Sequence, residues 1–200
     1  MPPNSTAEAL DALNRELASL LSQRRLGPEY GAIHDEALRL ERILAEERGE
    51  PYAAVFPLGD VWEGMLAYSP TVAGNAFSCT VVFETKKRTA YAVVSFLRIA
   101  GYKLTDISDE IIEGHALIGK GLKAYGSFVV KNSSWLRELQ SVDAVHPQHD
   151  PERWRKSQHY LLCFKDRMFE AIAQEVQVVG TFATKNEALE RTLGLVSSPR

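Results

Sequence analysis

Two hundred residues, 45% hydrophobic and 24% charged, suit one domain of ordinary size or one domain with an appendage, and exclude a disordered or fibrous chain. A net charge of −3 supplies no basic field to recruit nucleic acid or an anionic membrane. The acidity is local, because residues 1–50 carry 6 Lys and Arg against 10 Asp and Glu while the remainder is balanced.

The opening residues, "MPPNSTAEALDALNRE", lack a basic stretch followed by an apolar one, so no signal peptide is expected. Ser5 with Glu8 forms a capping box, and Leu10, Leu13, Leu17, Leu20 and Leu21 recur at helical spacing. Gly27-Pro28 stops the chain and restarts it. Ile33, Ala37, Leu40 and Leu44 then make a second stripe, closed by Gly49 and Pro51. Residues 1–50 therefore read as an antiparallel helical hairpin. Its leucine face is expected to cover the chain's own domain, to self-associate, or to hold a protein partner.

From Tyr52 the period changes. "AFSCTVVFE" and "AYAVVSFLRI" flank the basic turn Lys86-Lys87-Arg88 as a hairpin, and "AYGSFVVK" is a further strand. Asn132 or Ser133 then caps a short helix, and Asp150-Pro151 opens another over "PERWRKS". "QHYLLCF" and "MFEAIAQEVQVV" form a second hairpin about Asp166-Arg167. Thr184 and Glu187 make a capping box for a terminal helix through Leu195. The expected fold is α+β: the helical hairpin over residues 1–50, then residues 51–200 as a mainly antiparallel β-rich domain with short helices and a C-terminal helix. Cys79 and Cys163 lie singly in apolar runs and behave as small hydrophobes. No apolar run is long enough for a membrane span, so a reducing, cytoplasmic setting is the default expectation.

Chemistry is expected in two places. A two-residue turn at Asp166-Arg167 pairs Phe164 with Phe169, Leu161 with Ile172, and His159 with Gln174. One face of that hairpin is uniformly apolar. The other is mixed and holds His159, Cys163 and Glu170, as a cavity floor would. His146 and His149 lie just upstream, giving three of the 5 histidines one short span. Pro147 keeps His146 out of the α region, so this His-x-x-His is not a pair on one helical face. Zinc requires three or four ligands at about 2.0–2.3 Å, and the spacing matches no zinc signature. His146, His149 and His159 would be the ligands of a metal if folding gathered them. Otherwise His146 and His149 shape a loop, and His159 borders the sheet.

The second place is "DISDEIIEGHALIGKGLKAYG". There Glu113 could orient His115, or Glu110 could act as a base beside it. Gly119 and Gly121 permit close approach, to an anion held with Lys120 among other things. The Walker spacing fails, because Gly121 follows Lys120 where a hydroxyl should stand. No G-x-S-x-G elbow is present, and Ser133-Ser134 read as a helix cap. Trp135 and Trp154 read as anchors of their short helices, with ligand stacking as the alternative for either.

Taken as a set, His115 and Leu117; Gly121, Leu122 and Tyr125; Asn132, Ser133 and Trp135; His146, Pro147 and His149; His159 and Tyr160; and Phe164, Asp166, Phe169 and Glu170 resemble the pattern of a family of small uncharacterised bacterial proteins. The resemblance covers about a third of the chain and implies no activity, cofactor or partner. Ile107, Ser108, Ala116 and Lys165 depart from it. The family carries a histidine at the last of these, so any site that uses it is altered here.

Two functions follow. The first is a non-enzymatic binding or accessory protein, such as an immunity-type factor, which takes precedence because no motif has catalytic specificity. The alternative is an enzyme in which His115, His159 and Glu170 are the catalytic candidates. His146, His149, Glu110, Glu113 and Trp135 would be its ligand-binding surroundings, with or without metal.

Overall fold

A computed structural model describes residues 5–23, 27–62, 69–85 and 90–197. In chain order these form helices α1 (Thr6–Ser22) and α2 (Pro28–Glu47), then strands β1 (Tyr52–Val55), β2 (Thr71–Gly74), β3 (Ser78–Glu84), β4 (Tyr91–Leu97), β5 (Gly101–Thr105) and β6 (Ser127–Lys131). Helices α3 (Ser134–Asp143) and α4 (Pro151–Lys156) follow. Strands β7 (Gln158–Cys163), β8 (Met168–Ala173) and β9 (Glu175–Phe182) lead to helix α5 (Lys185–Ser197).

The caps form where their residue types predict. Ser5 Oγ accepts from Glu8 N at 3.3 Å, and Asp150 Oδ1 accepts from Glu152 N at 2.9 Å. Thr184 and Glu187 exchange reciprocal bonds of 3.2 and 3.3 Å. In the hairpin, Leu10, Leu17, Ala37 and Leu40 close on one another, with Leu13, Ile33 and Leu44 at their margin. The leucine stripe is thus largely spent between α1 and α2. Helix α2 in turn lies against β1 and the 119–121 loop.

The strands make two antiparallel sheets, ordered β1-β6-β7-β8-β5 and β2-β3-β4-β9. They pack face to face. Val81, Phe83, Val94 and Phe96 from the smaller sheet meet Val129, Tyr160, Leu162 and Phe169 from the larger one. Phe96 lies 5.1 Å from Phe169 and 5.7 Å from Tyr160, ring centre to ring centre. Each side chain so buried is worth about 1.5–3 kcal/mol. Helix α5 covers the outer face of the smaller sheet at Val82 and Val93. Ile112, Leu117 and Leu122, from the connection between β5 and β6, cover the outer face of the larger one. Cys79 and Cys163 are buried and unpaired, and burial pushes each thiol up to about 12.

The fold corrects three expectations. "MFEAIAQEVQVV" is not one strand: it breaks at Gln174, and β8 and β9 belong to different sheets. His159 lies on β7, the central strand of five, not at a border. The β7–β8 register is also shifted by two residues, so that Cys163 faces Met168, Leu161 faces Glu170 and His159 faces Ile172. The connection is the four residues 164–167, closed by Phe164 N donating to Arg167 O at 2.9 Å. A two-residue shift leaves every side chain on its expected face, which is why the alternation alone did not expose it. Strands β3 and β4 pair as expected, while Lys86-Lys87-Arg88 lie outside the described residues.

Candidate active site

The outer face of the larger sheet is apolar along most of its length and turns polar where the Leu117–Leu122 cover gives way to α3. The shifted register decides what meets there. Strand β8 brings Glu170 directly opposite Lys103 of β5 and diagonal to His159 of β7. Lys103 Nζ reaches Glu170 Oε1 at 2.9 Å, and His159 Nε2 reaches Glu170 Oε2 at 2.9 Å. The His159 and Glu170 side chains are only 6% and 5% exposed.

The other imidazole nitrogen has a partner as well. His159 Nδ1 lies 2.8 Å from Ser133 Oγ, at the N-terminus of α3. Burial pushes the Glu170 carboxyl up. Hydrogen bonds from His159 and Lys103, with their charges, outweigh that and hold it below the ordinary 4.5. Glu170 is therefore an ionised acceptor, so His159 Nε2 carries a proton. In the neutral tautomer that keeps its proton on Nε2, Nδ1 is the nitrogen left to accept from the Ser133 hydroxyl. A hydroxyl, an imidazole and a carboxylate stand in line.

Ser133 owes its position to the chain on both sides. Strand β6 runs to Lys131, Asn132 takes a φ of 51°, and α3 begins at Ser134. Asn tolerates the left-handed region better than most residues, so a strand can turn sharply into a helix here. Ser133 Oγ also accepts from Leu136 N at 3.1 Å, the cap expected of it. Trp135, two residues further on, stands edge-on to His159 with ring centres 5.2 Å apart and carries the Lys103 ammonium 4.6 Å from its ring centre. It thus fixes the imidazole and the ammonium together.

A cavity of about 270 Å³ opens against this line. Lys103, Ser133, Trp135, His159 and Glu170 form one wall, and His115, Leu117 and Lys120 form another. His115 Nδ1 accepts from Leu117 N at 3.2 Å, which leaves the ring proton on Nε2. Burial holds this imidazole below the ordinary 6.5 against the raising pull of Glu170, and Lys103 and His159 reinforce the lowering.

Comparison with family models, curated proteins and solved structures finds no match to this chain. What the cavity does must therefore be read from its own atoms.

Of the residues expected at a site, His115, Trp135, His159 and Glu170 come together. His146 and His149 do not join them. His146 Nδ1 accepts from Gln148 N at 3.0 Å, and His149 Nδ1 lies 2.7 Å from Asp143 Oδ2, which also takes the Trp154 indole N–H at 2.7 Å. They order the loop after α3. Among the described residues no three His, Cys, Asp or Glu side chains group to hold a metal ion. Glu110 and Glu113 are exposed and line no part of the cavity, so neither is the partner expected for His115.

Gly119 and Gly121 make room for other parts of the chain. With φ of 77° and 94°, they admit Glu41 of α2 and the Ala53 carbonyl of β1. Lys120 is held by Glu50 at 2.6 Å. Two participants escaped sequence reasoning. Lys103 carries no signal beyond its alternation in a short strand. Ser133 was legible as a cap, and the direct passage from "SFVVK" into "SWLREL" through Asn132 was the sign that its hydroxyl is presented at a strand-to-helix turn.

Proposed function

We propose that this protein is a hydrolytic or group-transfer enzyme in which His159 is the general base and Glu170 orients it and balances its charge. The single observation behind this is a buried imidazole held on one side by an ionised carboxylate and on the other by a hydroxyl, at the wall of a cavity. Such a line takes a proton from the hydroxyl side and stabilises the imidazolium from the carboxylate side. The low carboxyl pKa suits an orienting group, because Glu170 stays ionised throughout. Lys103 and Trp135 keep it in place. The cytoplasm is the proposed setting, in keeping with two unpaired buried thiols, and no helix among the described residues is long and apolar enough to cross a membrane.

A panel of small chromogenic carboxylic esters, amides, phosphate esters and glycosides tests this. One class is expected to turn over, with the rate falling about 10²–10⁴-fold in His159→Asn at unchanged circular dichroism. Background rates across the whole panel would overturn the reading.

A second reading has its own support. Among the described residues every buried side-chain N and O has a hydrogen-bond partner, as a purely structural network would. The protein is then an accessory or immunity-type factor that holds a protein partner. It forms a stable complex that survives His159→Asn.

A further inference from the structure

We propose that Ser133 is the nucleophile of this site and forms a covalent acyl-enzyme from short-chain carboxylic esters or thioesters. The inference rests on the enzyme reading above, and adds to it the attacking atom and the substrate class.

Five features of the chain favour the reaction there. Ser133 Oγ is 2.8 Å from His159 Nδ1, so nucleophile and base are already hydrogen-bonded. The base is in turn held by Glu170. Ser133 sits at the junction of β6 and α3, immediately after the positive-φ Asn132, so the hydroxyl stands at a sharp strand-to-helix turn. The first N–H groups of α3, those of Ser134 and Trp135, have no carbonyl one turn back to receive them. Both residues line the cavity, and free N–H groups at a helix start are the kind of donor that stabilises the oxygen of an attacked carbonyl as it acquires charge. The Leu136 N–H, already bonded to Oγ, favours negative charge on that same atom.

In the usual serine–histidine–carboxylate relay the hydroxyl meets Nε2 and the carboxylate meets Nδ1. Here the two nitrogens are exchanged. Either nitrogen of an imidazole accepts a proton while the other donates, so the exchange alters which way the ring faces and leaves the relay intact.

The step balances without any further reactant but water. Ser133 Oγ attacks the carbonyl carbon as its proton passes to His159 Nδ1, and the imidazolium is paired with Glu170 through Nε2–H. The bond to the leaving alcohol or thiol breaks, and that group takes the proton from Nδ1. Water then attacks the acyl-enzyme with His159 again accepting a proton, releasing the carboxylic acid and restoring the Ser133 hydroxyl. Val130, Leu117 and Trp135 give the acyl group apolar walls, and about 270 Å³ suits a short-chain ester better than a long-chain one.

The full-length protein is treated with a fluorophosphonate and followed by intact mass and peptide mapping, and in parallel assayed for hydrolysis of p-nitrophenyl acetate. One adduct is expected on Ser133 as its oxygen bonds to phosphorus and fluoride leaves. Ser133→Asn keeps a good helix cap and removes the nucleophile, so it should fold, lose the adduct and lose turnover. His159→Asn and Glu170→Gln should slow both by about 10²–10⁴-fold. Turnover that needs His159 but persists in Ser133→Asn, with no adduct on Ser133, would overturn the nucleophile while leaving the general-base reading intact. Neither adduct nor His159-dependent turnover would overturn both.

Discussion

Among the described residues, two imidazole–carboxylate pairs have nearly equal lengths, His159–Glu170 at 2.9 Å and His149–Asp143 at 2.7 Å. Their surroundings differ. The first is sealed between a sheet and α3, beside a cavity, with a hydroxyl on the far nitrogen. The second is partly open, its side chains 21% and 30% exposed, and its carboxylate serves the Trp154 indole as well. The same contact lines a cavity in one place and fastens a loop in the other. Burial sets the difference, because water screens the open pair and leaves the closed one to its neighbours.

The largest contrast should come from removing one carboxylate. Glu170→Ala strands a buried imidazole and the Lys103 ammonium, and is expected to cost about 3–5 kcal/mol in urea unfolding. A cost near zero would put the two pairs on the same footing. Next in size is pH. The Glu170 carboxyl is held below its ordinary 4.5, so its contribution is complete above that value and is lost as the pH falls through the lower, folded-state one. Thermal melts from pH 6 to 3 should show wild type losing stability more steeply than Glu170→Gln.

His149→Ala should move the melting temperature by no more than about 3 °C, and His146→Ala by less. The smallest effect is kinetic silence. Cys79 and Cys163, with thiols raised to about 12, should not react with a thiol reagent at pH 8 until the protein unfolds. Fast reaction of either would show that a sheet face is open.

Much of this was legible in the sequence and some was hidden for definite reasons. The caps at Ser5, Asp150 and Thr184 are local chemistry and appear as written. So do the apolar and mixed faces of the second hairpin, since alternation survives an even shift in register. The identity of opposing residues does not survive it. In the expected pairing His159 faced Gln174, four positions from Glu170, whereas the true turn puts them on a diagonal. Phe164 gave no warning, because its burial in the aromatic cluster with Trp62 and Phe83 is a tertiary fact. Lys103 and Ser133 come from other strands and turns, and only the sheet order brings them to Glu170 and His159. The histidines nearest in sequence to His159 are not part of its site.

The corner at Gln174 reaches beyond the site. The chain passes between the sheets there and again between Leu97 and Gly101, and the two crossings are stitched together by Gln174 N to Leu97 O at 3.2 Å and Ala100 N to Ile172 O at 2.8 Å. Each layer therefore borrows its end strands from segments that continue into the other. Neither is a separable folding unit, so amide exchange in β4 and β8 should report one shared opening event.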